Sequence, residues 1–180
     1  MGIIGTNSEE WKRLEANTAE INRRRGTIIS FALEVEDMLE GVISSYLMKE
    51  ATAEKREFFE VEVIRQRGFE EKIQIFEKIC KKEKFNEEIL SGILLAVKSI
   101  QTIRNKVAHW RNFSILQTGK VFLRKKNERE TQEMLVLTDD LLREIEDSTA
   151  IAKKGMADFH QWHYKIKGKK IWIITIFKSF

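Results

Sequence analysis

Residues 86–109 read NEEILSGILLAVKSIQTIRNKVAH and carry the longest uninterrupted helical pattern in the chain. Apolar side chains recur there every three or four positions, as they do on one face of an α-helix. Asn86 is a suitable N-cap for such a helix, because its side chain can accept a hydrogen bond from the first turn. The pattern predicts one long helix with an apolar face formed by Ile89, Leu90, Ile93, Leu94, Val97, Ile100, Ile103 and Val107.

Helical patterns also precede this stretch. Residues 8–22 and 27–49 both place apolar side chains at helical spacing, and Gly26 between them marks either a kink or a break. Residues 51–67 fit a helix end or a loop that packs on the core, and the pattern does not choose between them. Residues 69–82 predict a further short helix.

The segment after residue 110 changes character. Residues 119–124 and 133–137 alternate in polarity, which predicts two antiparallel strands joined by a charged turn. Thr138 can cap a last helix that continues to about Tyr164. We therefore expect a mainly α fold: an up-and-down helical bundle of four to five helices, with a small β-hairpin at about 119–137 inserted before the last helix. The helical domain would span residues 1–168, and residues 169–180 would form a basic, apolar C-terminal tail.

Bulk composition favours a soluble domain. Of the 180 residues 42% are apolar and 33% are charged, which is too apolar for a disordered chain and too charged for a membrane protein. No apolar run approaches the roughly 20 residues that a membrane span needs. Cys80 is the sole cysteine, which excludes an intrachain disulfide. Its helical neighbours suggest a half-buried thiol, and we expect a reducing, cytoplasmic location.

Positive charge concentrates at the C-terminal end. Residues 151–180 hold seven lysines against one acid, a net +6, so the overall charge of +4 leaves −2 for residues 1–150. A cluster of this kind is either a contact surface for the phosphates of RNA or a solubilising tail. The lysines that we expect to contact RNA are Lys165, Lys167, Lys169 and Lys170.

Three polar residues near the end of the long helix carry the most chemistry. At about 100° per residue, Asn105 and His109 share an outward face, and Arg104 lies between that face and the core. A guanidinium matches a phosphate with paired donors, and an imidazole exchanges protons near neutral pH. RNA cleavage needs little more, because the 2′-hydroxyl of the substrate is the nucleophile.

Simpler interpretations of these residues remain open. Arg104 could pair with an acid in the stretch 34–40, and His109 could interact with the helix C-terminus. The run Arg23-Arg24-Arg25 could bind phosphate or be a solvated charge cluster. His160 and His163 are three residues apart, but no third ligand at a useful spacing is visible, so we expect no metal site.

The run Arg104-Asn105-Lys106-Val107-Ala108-His109 resembles the Arg-Asn-x-x-x-His motif of the HEPN superfamily (higher eukaryotes and prokaryotes nucleotide-binding domains). The order of helices is also similar, over about residues 20–165, and some members carry a hairpin insertion. The resemblance implies a metal-independent endoribonuclease that needs no cofactor and works as a homodimer with one composite cleft. It assigns catalysis to Arg104 and His109, with Asn105 supporting them.

The same resemblance implies further residues and partners. A polar or acidic residue of the early helix contacts the motif arginine in this superfamily, and Glu34 and Asp37 are the two candidates here. Many members are toxins or phage-defence proteins, so an antitoxin protein is an expected partner beside RNA. Other members do not cleave RNA, and the alternative is a non-catalytic module that binds nucleotides, RNA or another protein.

Overall fold

The computed structural model describes residues 8–115, 120–125 and 133–166. A π-helical turn at Glu60–Ile64 continues the second helix. A three-stranded antiparallel sheet with the order β1-β2-β3 precedes the last helix. The helices are α1 (Ser8–Leu47), α2 (Ala53–Phe59), α3 (Phe69–Lys82), α4 (Glu87–His109) and α5 (Asp139–Ile166), and the strands are β1 (Arg111–Ile115), β2 (Lys120–Arg124) and β3 (Met134–Leu135).

The mainly α class with a small sheet inserted before the last helix is confirmed. Both predicted N-caps are present. Asn86 Oδ1 accepts a hydrogen bond from the Ile89 amide at 3.0 Å, and Thr138 Oγ1 accepts one from the Leu141 amide at 3.1 Å. Each bond satisfies an amide that has no partner within its own helix, which fixes where α4 and α5 begin.

A break at Gly26, one of the two expected outcomes, is wrong, because α1 runs without interruption from Ser8 to Leu47. A glycine inside a helix costs only about 1 kcal/mol relative to alanine. Ile21 and Ile28 on either side of it are 8% and 0% exposed. Burial of such apolar side chains outweighs the cost of the glycine, so the helix continues through it.

The prediction of a two-stranded hairpin missed one strand, because the sheet has three strands. Strands β2 and β3 do pair as expected, with Leu123 opposite Leu135. Strand β1 adds a third member, and pairs along its whole length with β2. Only Trp110 separates β1 from the end of α4, so the strand is too short and too close to the helix for its own pattern to be visible.

The chain forms two compact units. The first comprises the described residues up to Asp37 together with those from Leu95 to Ala150, and the second comprises Met38–Leu94 together with the described residues from Ile151 onward. The long helices α1, α4 and α5 contribute residues to both units. The sheet and the end of α4 therefore belong to the first unit.

The second unit has an aromatic core around Phe159, which is 1% exposed. The rings of Phe76 and Phe85 meet it edge-on at centroid distances of 5.5 and 5.3 Å. Cys80 lies fully buried in this unit rather than half-buried, and burial raises the pKa of its thiol to about 12. Its thiol is therefore protonated and unreactive at neutral pH.

None of the helices among the described residues is long and apolar enough to cross a membrane. The expected tail at 169–180 lies outside the described residues.

Candidate functional site

The last two turns of α4 bring Arg104, Asn105 and His109 together. The Arg104 guanidinium donates a hydrogen bond from Nη1 to Asn105 Oδ1 at 3.1 Å. Asn105 and His109 are exposed and lie on one face of the helix, and Arg104 is partly buried. This is the arrangement that helical geometry predicts. A guanidinium, an amide and an imidazole thus meet solvent at one end of a helix.

The opposite face of these two turns of α4 packs in the core. Ile100 and Val107 are fully buried, and Trp110 is 8% exposed. Ile103, which the pattern also assigns to this face, is only partly buried. The site is therefore carried by backbone that packing holds in place.

Arg25 of α1 binds the C-terminal end of α4. Its Nη2 donates to the Val107 carbonyl at 2.7 Å, and its Nη1 donates to Asn112 Oδ1 at 3.0 Å. Asn112 in turn donates to Asn22 Oδ1 at 3.2 Å. The last carbonyls of a helix have no partner within the helix, and a cation also suits the negative end of its dipole. Arg25 thus caps the C-terminal end of α4 at Val107, two residues before His109.

The other arginines of the run 23–25 are also engaged within the protein. Arg24 donates to the Leu137 carbonyl at 2.6 Å and pairs with Asp139 at 2.8 Å, which ties α1 to the start of α5. Arg23 and Arg24 both bind Glu20, and their hydrogen bonds lower the pKa of that carboxyl to about 2. Arg24 and Arg25 thus join α1 to other elements of the first unit, so the run is not a purely solvated cluster.

Lys106, inside the motif, has two partners. Its Nζ lies 2.5 Å from Glu133 Oε1 and 5.2 Å from the centroid of the Trp110 ring. Sequence reasoning gave Lys106 no role, because Glu133 is 27 residues further along the chain and no local pattern links the two. The contact joins the end of α4 to the segment that leads into β3.

Glu34 and Asp37 are exposed on α1, in the same unit as the motif. Each of them has an interaction of its own, and Arg104 has its hydrogen bond to Asn105. The supporting role expected for Glu34 or Asp37 stays a prediction, and so does the simpler interpretation in which Arg104 pairs with an acid of residues 34–40.

The His109 imidazole makes no hydrogen bond or ion pair with any residue in the described part of the chain. Nor is it sealed by packing, since the side chain is exposed. It is therefore accessible to a substrate, which is a requirement for a general acid or base.

The histidines of α5 belong to the second unit. His163 is 5% exposed, lies 3.7 Å from Glu83 and has its ring centroid 5.0 Å from that of Tyr46. Burial lowers the pKa of His160, and the charge of His163 lowers it further. Within the described ranges, no group of three histidine, cysteine or acidic side chains is placed to hold a metal ion.

Of the lysines expected to contact RNA, Lys165 is exposed near the end of α5. Lys167, Lys169 and Lys170 lie outside the described residues.

Comparisons with protein-family models, with curated proteins and with solved structures find no match for this chain.

Proposed function

We propose that this protein is a metal-independent endoribonuclease that acts through Arg104 and His109, with Asn105 orienting the guanidinium. The observation that carries the proposal is the exposed cluster at the end of α4, where Arg104 donates to Asn105 at 3.1 Å beside the accessible His109. These groups supply phosphate recognition, charge stabilisation and proton transfer on one rigid surface.

The reaction follows from those groups. The 2′-oxygen of the substrate attacks the adjacent phosphorus as the 2′-hydroxyl loses its proton to a base. The bond from phosphorus to the 5′-oxygen then breaks, and that oxygen takes a proton from an acid. The products are a 2′,3′-cyclic phosphate and a 5′-hydroxyl. Arg104 would stabilise the extra negative charge on the phosphorane between the two steps.

A single His109 cannot be base and acid on opposite sides of one phosphorus at the same moment. A homodimer in which two copies of the motif face one cleft would supply both imidazoles and both guanidinium groups. We therefore propose a composite active site between two copies of the chain. An activity of this kind suits a cytoplasmic toxin or phage-defence protein that an antitoxin protein restrains.

The mechanism is tested by an RNA in which one 2′-hydroxyl is replaced by hydrogen at a mapped cleavage position. In the presence of EDTA, we expect cutting at that position to stop while neighbouring positions are still cut. Product fragments should end in a 2′,3′-cyclic phosphate. Cutting at the deoxy position, or cutting that EDTA abolishes, would contradict the proposal.

The second candidate is a module that binds RNA, a nucleotide or another protein without cleaving it. One observation favours it: no group in the described residues fixes the orientation of the His109 imidazole. Such a module would bind equally well after the substitution His109→Ala, and it would leave RNA intact under all conditions.

A further inference from the structure

The two faces of the sheet in the first unit carry different side chains. Leu123 is fully buried, and Asn112, which is opposite it in the ladder, bonds to α1. Successive side chains of a strand alternate between faces, and directly paired residues share a face. Among the side chains that the structure describes, the other face, which we call the outer sheet face, therefore carries Arg111, Phe113, Lys120, Phe122, Arg124 and Met134.

The outer sheet face combines exposed apolar groups with positive charge. Phe113 is 42% exposed and Met134 is 54% exposed, whereas Phe122 between them is 8% exposed. The rings of Phe113 and Phe122 are 5.2 Å apart. Of these six described side chains three are cationic and none is acidic. An exposed apolar patch with a single sign of charge is typical of a binding surface for a polyanion.

The placement of two arginines strengthens this point. Arg111 and Arg124 are directly opposite each other in the ladder of β1 and β2, and like charges in that position destabilise a sheet. The Arg124 guanidinium lies 5.3 Å from the centre of the Phe113 ring, a favourable cation–π contact that offsets part of the repulsion. A bound phosphate would relieve the remainder, because it would lie between two positive charges.

Phe113 adds a group that recognises bases. An exposed aromatic ring beside arginines is the usual platform on which the unpaired bases of single-stranded nucleic acid stack. Bases within a duplex are already stacked and paired, so they cannot use such a ring. The ligand that fits both the charges and the ring is therefore single-stranded RNA.

We infer that the outer sheet face binds unpaired RNA, with a base stacked on Phe113 and phosphates held by Arg111 and Arg124. This inference rests on the proposed function and deepens it, since it assigns substrate binding to a surface of the sheet. Arg111 follows His109 by two residues, a length of chain that spans at most about 7 Å. An RNA strand on this face therefore begins close to the motif.

The test measures binding rather than cleavage, with His109→Ala present throughout to prevent cutting. The probe is a fluorescein-labelled oligouridine of about 12 nucleotides, within the usual range of single-stranded sites. Its affinity is measured by fluorescence anisotropy at several salt concentrations. We expect Phe113→Leu to weaken binding roughly 5- to 150-fold, and Phe113→Trp to bind within about twofold of the parent, because tryptophan keeps a stacking surface.

The arginines are tested by the double substitution Arg111→Ala and Arg124→Ala. It should lower the slope of log affinity against log salt by about 1.4, or about 0.7 for each lost phosphate contact. The matched control replaces Lys98 and Arg143 by alanine. Both are exposed cations of the first unit and lie on helices rather than in the sheet, so the salt slope should not change.

Three results would overturn the inference: no binding of the probe by the parent protein, equal affinity for a duplex of the same length, or unchanged affinity in a folded Phe113→Leu variant. If that variant loses self-association but keeps its RNA affinity, the face is a protein contact instead. The proposed cleavage fails in a different way. A protein that binds the probe through Phe113 but never cuts RNA would contradict the endoribonuclease proposal and leave the binding inference standing.

Discussion

Arg23, Arg24 and Arg25 are identical neighbours whose contacts differ because each residue of a helix turns by about 100° from the last. Arg23 projects toward solvent, with a side chain that is 64% exposed and paired with Glu20. Arg25 points toward the end of α4 and binds the Val107 carbonyl and Asn112. The energetic weight of these contacts should therefore differ strongly along three consecutive positions.

We predict that Arg25→Ala lowers the free energy of unfolding by about 1.5–3 kcal/mol, since it leaves the Val107 carbonyl without its charged donor. Arg23→Ala is the matched control and should cost much less, because an exposed ion pair contributes little to stability. Urea unfolding of the two variants measures both values. Equal losses would contradict the role of Arg25 as the cap of α4.

The sequence predicts whether a side chain is exposed or buried more easily than it predicts the residue to which that side chain bonds. The exposure of Asn105 and His109 and the burial of Val107 follow from helical geometry alone. The hydrogen bonds of Arg24 to Leu137 and of Arg25 to Val107 and Asn112 join positions that are 82 to 113 residues apart, and no local pattern encodes them.

Among the elements, those with caps and regular apolar spacing were the most predictable. The bounds of α3 agree with prediction, and α4 and α5 begin at their predicted caps. Strand β1 was missed because a five-residue strand is defined by its pairing with β2 rather than by its own pattern. At Gly26 the sequence suggested a helix end that is absent. Burial of the apolar side chains on both sides outweighs the low helix propensity of glycine.

Two glycines should respond oppositely to alanine. At Gly26 of α1 a Cβ would meet nothing within 4 Å, so Gly26→Ala should stabilise the protein by about 0.5–1 kcal/mol. At Gly155 of α5 a Cβ would overlap the Ile93 side chain, so Gly155→Ala should destabilise it by about 1–3 kcal/mol. Thermal and urea unfolding measure both.

A double variant tests the cause of the second effect. The Ile93 Cβ lies 3.6 Å from the added Cβ, an ordinary contact, so Ile93→Ala removes the atoms that overlap. The cost of Gly155→Ala should then fall toward zero when it is measured in an Ile93→Ala background. Strict additivity of the two substitutions would show that the overlap is not the reason.

For the molecule as a whole, reactive groups are distributed unevenly between the two units. The first holds the exposed motif, its Arg25 cap and the outer sheet face. In the second, Cys80 and His163 are buried, and burial together with the hydrogen bond to Glu83 raises the pKa of Tyr46 to about 12. Among the groups described, those suited to act on a large substrate are thus concentrated in the first unit.

The most direct test of the central claim is the initial rate of RNA cleavage in EDTA, compared between the wild-type protein and His109→Ala. The account predicts that the wild-type protein cuts and that His109→Ala slows cutting roughly 100- to 10,000-fold, the range for loss of a general acid or base. His160→Ala, in the other unit, should cut at the wild-type rate. Cutting by His109→Ala at the wild-type rate would contradict the account.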